Sequence, residues 1–244
     1  MENPYLGEFL GTMILILLGD GVVANVVLSK TKGSGGGWIV ITAGWAFAVV
    51  FGVATAIMAG SPYGHINPAV TIAFALLSAM GKAKFDLALV PGFIICQILG
   101  AFVGAVIVFL AYYQHFKETP DPTPKLGVFS TIPQIKHYGL NMLTEIIGTF
   151  MLLVGVFAVG AAGLAQTVGG AVAVGFLVWG IGLSLGGPTG YAINPARDLG
   201  PRIAHAVLPI PGKGSSQWDY GLTVPIIGPI IGGIVAALIY AAMI

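Results

Sequence analysis

Four long stretches of this chain carry no charge. No Asp, Glu, Lys or Arg occurs from Gly33 to Gly81, from Leu87 to Phe116, from Ile146 to Ala196, or from Tyr220 to Ile244. A helix crossing a bilayer needs roughly 20 apolar residues, so each shorter stretch holds one span and the two longer ones hold more. A soluble domain carries about a quarter charged residues. Here only 8% are charged and 57% are hydrophobic, with a mean hydropathy of +0.95. That excludes a solvated globular surface, and it excludes disorder, which requires few apolar residues and high charge. A net charge of +1 leaves no electrostatic footprint for nucleic acid. The single cysteine, Cys96, excludes an internal disulfide and any cysteine-based metal cluster. The apolar runs do not alternate with period two, so an outer-membrane barrel does not fit. The fold class is an all-α membrane protein.

Six full spans are expected near residues 5–28, 38–59, 86–112, 138–160, 167–187 and 220–243. The first run carries Glu2 and Glu8 instead of a basic leader, which reads as a span and not a removable signal peptide. Between the third and fourth spans, residues 114–137 form the longest loop, and its prolines at 120, 122, 124 and 133 are expected to keep it out of helix. Two apolar segments are too short to span: roughly His65 to Met80, and Ala192 to Val207. Each contains Asn-Pro-Ala near its start and follows a turn-rich stretch.

Those segments belong to an internal repeat. Gly7-Glu8-Phe9-Leu10-Gly11-Thr12 matches Thr144-Glu145-Ile146-Ile147-Gly148-Thr149, and Gly100 has a counterpart in Gly232. The two Asn-Pro-Ala segments superpose with a slip of one residue. We therefore expect one channel-type domain over 1–244, with repeats at about 1–113 and 138–244. Three spans per half is an odd number, so the second half enters the membrane from the opposite face, and broken segments at matching positions mark the functional site.

Asn-Pro-Ala suits the start of a half-helix. Pro68 and Pro195 lack an N–H that would be unsatisfied there anyway, and Asn67 and Asn194 can cap it by accepting a backbone N–H. Each Asn amide nitrogen is then expected to donate outward. Two half-helices meeting near the midplane would bring their positive dipole ends together. The irregular backbone ahead of them is tolerated at membrane depth only beside a watery path.

At these residues the chain resembles the aquaporins. Gly64-His65-Ile66-Asn67-Pro68-Ala69-Val70-Thr71 and Gly190-Tyr191-Ala192-Ile193-Asn194-Pro195-Ala196-Arg197-Asp198 look like that family's two signature loops, and the likeness extends to Glu8, Gln97 and Glu145. Within the family the chain looks closest to the bacterial glycerol facilitators. The resemblance implies six spans and two half-helices around one pore per subunit, a homotetramer in the cell membrane, and both termini in the cytoplasm. It implies no cofactor and no metal. With the N-terminus inside, only Lys82 and Lys84 lie in an inner loop, whereas Lys30, Lys32, Lys117, Lys125 and Lys136 lie outside. The positive-inside rule taken alone favours the reverse.

The resemblance also implies a selectivity constriction of Phe47, Gly182, Tyr191 and Arg197. Phe47 comes from counting twenty residues back from Asn67 without gaps. A two-residue shift would give Trp45 instead, and helix geometry forbids both. Water-selective members place His where Gly182 stands, so Gly there leaves room for a carbon backbone. Two aromatic walls would hold the carbon edge of a polyol while Arg197 donates to its hydroxyls. Backbone carbonyls of Gly64, His65, Ile66, Gly190 and Ala192 would line the pore, with Glu8, Glu145 and Asp198 supporting the loops. The expected permeants are glycerol and similar small uncharged solutes, with water. The alternatives are a mainly water-selective pore, a channel for another neutral solute such as an undissociated small acid, or a coupled transporter that uses Glu8 and Glu145 as a proton relay. No Ser, Cys or carboxylate arrangement suggests an enzyme.

Overall fold

A computed structural model describes residues 3–244, which form helices joined by loops, with no strand among them. Met1 and Glu2, and with them the start of the expected 1–244 domain, lie outside the described residues. In chain order the helices are α1 (Pro4–Val27), α2 (Trp38–Met58), α3 (Pro68–Ala79), α4 (Val90–Ala111), α5 (Tyr113–Glu118), α6 (Pro122–Phe129), α7 (Tyr138–Ala161), α8 (Val168–Leu185), α9 (Pro195–Val207), α10 (Trp218–Gly221) and α11 (Val224–Met243). Six are long and apolar enough to cross a membrane: α1, α2, α4, α7, α8 and α11. Their ends fall within a few residues of the sequence expectation.

The expectation failed between Gln114 and Lys136. Two short helices, α5 and α6, occupy much of that segment. Pro122 and Pro124 sit in the first turn of α6, where a missing N–H leaves no bond unmade, and Asp121 caps the turn by accepting from Thr123 N at 2.8 Å. The prolines start a helix there instead of preventing one.

Close backbone approach at glycines fixes the bundle. A Cβ on Gly100 of α4 would stand 2.2 Å from the Phe9 carbonyl of α1, and one on Gly232 of α11 would stand 2.4 Å from the Ile146 carbonyl of α7. Both glycines thus meet the residue that follows a buried glutamate, Glu8 in one case and Glu145 in the other. The half-helices pack crosswise. Gly200 of α9 lies against the Ile98 carbonyl of α4, and Gly233 of α11 lies against the Ala69 carbonyl of α3. Each half of the chain therefore encloses the short helix of the other. Large apolar side chains such as Phe51, Met58, Ile95 and Phe176 remain more than half exposed around the outside, a surface suited to lipid and not to water.

Candidate functional site

The two irregular loops are held by two buried carboxylates. Glu8 accepts hydrogen bonds from His65 N at 2.9 Å, Ile66 N at 2.7 Å, the Ser61 hydroxyl at 2.7 Å and Gln97 Nε2 at 2.8 Å. Glu145 accepts from Ala192 N at 2.9 Å, Ile193 N at 2.8 Å and the Thr189 hydroxyl at 2.7 Å. These donors would otherwise be orphaned at membrane depth, and charge-assisted bonds are the strong ones. The bonds also oppose strain. Ile66 and Ile193 have φ of 43°, and Tyr191 has 40°. A β-branched residue in that region costs about 1–3 kcal/mol unless its surroundings fix it. Fixed backbone N–H acceptors do so at both isoleucines. Ser61 and Thr189, which complete the two sets, were read from the sequence only as members of the turn-rich stretches. Their signal was present as a hydroxyl residue five or six positions before each Asn.

Asn67 and Asn194 cap the half-helices. Asn67 Oδ1 accepts from Ala69 N at 2.9 Å, and Asn194 Oδ1 accepts from Ala196 N at 3.0 Å and Arg197 N at 3.3 Å. Their amide nitrogens do not donate only outward, as the sequence suggested. Asn67 Nδ2 donates to the Ile193 carbonyl and Asn194 Nδ2 to the Ile66 carbonyl, both at 2.8 Å. The loops are cross-linked, one N–H on each amide is taken, and one remains. Ile66, expected to present its carbonyl to a pore, uses it to hold Asn194 as well.

Two cavities meet at this point. One, of about 180 Å³, is bordered by Gly64, His65, Ile66, Ala192 and both capping asparagines. The other, of about 330 Å³, is bordered by Gly190, Trp38, Ser130 and Thr131. Three residues border both: Trp45, Tyr191 and Arg197. They form the neck. The Arg197 guanidinium lies over the Trp45 ring at 4.1 Å from its centroid, a stacking that a planar cation makes well.

This geometry corrects the reading of Phe47. Trp45 is 4% exposed and borders both cavities, whereas Phe47 is 60% exposed on the outside of α2. At 3.6 residues per turn, positions two apart point to nearly opposite sides, so the gap-free count from Asn67 chose the wrong one. The loop between α2 and α3 sets the register, and its length is not fixed by the Asn-Pro-Ala motif.

Gly182 also acts differently from expectation, because it does not border either cavity. A Cβ there would stand 2.8 Å from Cζ of Tyr191 and 2.9 Å from Cγ2 of Thr42. The space a side chain would take is filled by the Tyr191 ring. Gly186 gives way to the same ring, and Trp38 packs edge-on against it at 5.8 Å while donating to the Gly182 carbonyl at 2.9 Å. Gly182 thus sets how far Tyr191 withdraws from the neck.

Asp198 serves the loop between α6 and α7 more than the pore loop. It accepts from Thr131 N at 2.8 Å and the Thr131 hydroxyl at 2.6 Å, and it pairs with Arg202 at 2.7 Å. Arg202 in turn donates to the Thr131 and Ser216 carbonyls. The sequence reading did not single out Arg202.

Broken helices whose capped ends meet at a neck between two cavities define a membrane channel or carrier with a central site. Comparison with known proteins narrows this. Residues 2–240 match the family described as major intrinsic protein, and the chain belongs to that family. It is 61% identical to a probable glycerol uptake facilitator protein of Thermotoga maritima over 98% of both chains. It is 50% identical to the glycerol uptake facilitator protein of Bacillus subtilis, over 98% of this chain and 84% of that one. The solved aquaglyceroporin of Plasmodium falciparum superposes with a TM-score of 0.81 at 31% identity, covering 97% of this chain and 94% of the other.

Proposed function

We propose that this protein is a passive channel for glycerol and similar small uncharged solutes, carrying water with them and excluding ions and protons. One observation carries the reading: the neck shared by both cavities is made of two aromatic side chains and one guanidinium. Trp45 and Tyr191 offer apolar faces to the carbon edge of a polyol, and Arg197 offers N–H donors to hydroxyls on the other edge. A solute with one wet side and one greasy side replaces its hydration there. The names of the Thermotoga and Bacillus relatives support the same permeant.

Beyond the neck, the free N–H of Asn67 and Asn194 orients a passing water with its oxygen toward the two caps. A water so held cannot pass a proton along the file. The N-terminal ends of α3 and α9 and the charge of Arg197 oppose cations at the same level. Glu8 and Glu145 are engaged by loop donors, joined at Glu8 by Gln97 of α4, which argues for scaffolding and against a proton relay. The same reading takes the chain as one channel domain of two inverted repeats, at about 1–113 and 138–244. It assembles as a homotetramer in the cell membrane, with both termini in the cytoplasm and no cofactor.

Stopped-flow light scattering on proteoliposomes tests the proposal. Glycerol permeability should rise with protein content and ignore imposed proton or sodium gradients, and no proton leak should accompany it. Arg197→Val should loosen solute choice and admit a proton leak. Glycerol flux that needs an ion gradient would replace the channel by a carrier, and unchanged selectivity in Arg197→Val would remove Arg197 from the neck.

A further inference from the structure

Arg197 stands among few partners. Its guanidinium makes one long hydrogen bond, from NH1 to the Phe129 carbonyl at 3.4 Å, and rests on the Trp45 ring. The nearest acid is Asp20 of α1, whose Oδ1 lies 3.8 Å from the same NH1. Asp20 is completely buried, and neither of its oxygens has a hydrogen-bond partner. A bare buried carboxylate is strongly unfavourable unless a cation balances it. The residue before it, Gly19, seats the Trp45 ring, since a Cβ there would fall 2.3 Å from Cζ3 of the indole. One turn of α1 therefore backs both the aromatic wall and the cation of the neck.

The other buried acids are already engaged. Asp198 is paired with Arg202 and Thr131, and Glu8 and Glu145 each with a loop. Around the neck, Asp20 and Asp198 balance Arg197 and Arg202, all four buried. Without Asp20 one positive charge stands uncompensated.

We propose that Asp20 is the counter-charge of Arg197 and a positioning residue for solute selection at the neck, an inference that rests on the channel reading above. The carboxylate and the Phe129 carbonyl draw on the same guanidinium nitrogen and so fix the plane of the donors. A polyol uses two donors at a set spacing, whereas a water uses one. Displacing the guanidinium therefore costs glycerol more than water.

The test is a double-mutant cycle of Asp20→Asn and Arg197→Val in proteoliposomes, read as the glycerol-to-water permeability ratio. Asp20→Asn should lower the ratio about threefold or more in the parent and leave it unchanged in the Arg197→Val background. An equal change in both backgrounds, or none in either, would overturn the proposal, because a merely structural Asp20 acts additively. The unfolding midpoint in detergent is the second arm. Arg197→Val strands the carboxylate and should lower the midpoint, and adding Asp20→Asn should recover most of the loss. Should Asp20→Asn alone fail to assemble, recovery of assembly in the double variant supports the pair and failure in both refutes it. If the parent carries no glycerol, the channel reading falls, while the midpoint cycle still decides whether the pair exists.

Discussion

Replacing Gly182 with Ala places one methyl group where the Tyr191 ring now lies. The added carbon would stand 2.8 Å from Cζ of Tyr191 and 2.9 Å from Cγ2 of Thr42. Ordinary carbon contacts lie at about 3.5–4.0 Å, so the ring must move by about 1 Å. It has one open direction. Gly182, Gly186 and Trp38 back it, and the two cavities lie on its other side. The ring therefore moves into the neck. Overpacking of this kind costs about 1–3 kcal/mol. Added to the barrier for a solute that must pass the ring, that is about fivefold to about a hundredfold in rate. Glycerol, larger than water, bears most of this, and water bears little. The assay is stopped-flow scattering on vesicles with matched protein content, with glycerol and an impermeant osmolyte run in parallel. A well-assembled Gly182→Ala protein with glycerol permeability within twofold of the parent would refute the reasoning. Gly182→His meets the same ring before it reaches any opening.

Phe47→Ala should leave the glycerol-to-water ratio unchanged, whereas Trp45→Ala should raise passage of larger polyols, measured on the same vesicles with a series of four- and five-carbon solutes. The reverse pattern would return Phe47 to the neck. Glu145→Gln sets an amide N–H against the N–H of Ala192 or Ile193, and it removes the charge that holds Ile193 at φ 43°. A buried donor left unpaired costs about 1–3 kcal/mol, so the unfolding midpoint in detergent should fall by several degrees. An unchanged midpoint would show that the loop does not depend on that carboxylate.

The spans were legible because the absence of charge is a strong and long-range signal. Nothing in a charge-free run hides a helix of that length. The half-helices were legible because Asn-Pro-Ala is a helix start written in side-chain chemistry. What failed depended on distances between elements. Trp45 and Phe47 differ only in the turns of chain between α2 and α3, which no local rule counts. Gly182 was read as an opening because a glycine shows what is missing and not what fills the gap, and here Tyr191 fills it. In α6, Pro122 and Pro124 were read as breakers, although the same residues favour a first turn when Asp121 precedes them. Asp20 had no role in the sequence reading. Its partner, Arg197, lies far along the chain and on another helix, and only the packing of α1 against the neck joins them.

The crossed amide bonds bear on how such a chain comes to be built. Asn67 reaches a carbonyl 126 positions later, and Asn194 reaches one 128 positions earlier. As the polypeptide leaves the ribosome, the first loop therefore waits, capped but not cross-linked, until Ile193 has been inserted. Loop closure over such separations is slow and comes late. A product truncated after the third span has no carbonyl to receive Asn67 and no second short helix to close the hole beside α4. For a half-length gene to make a working pore, two copies of its product would have to associate, each lending the other the missing acceptor. The continuous chain keeps that association within a single molecule.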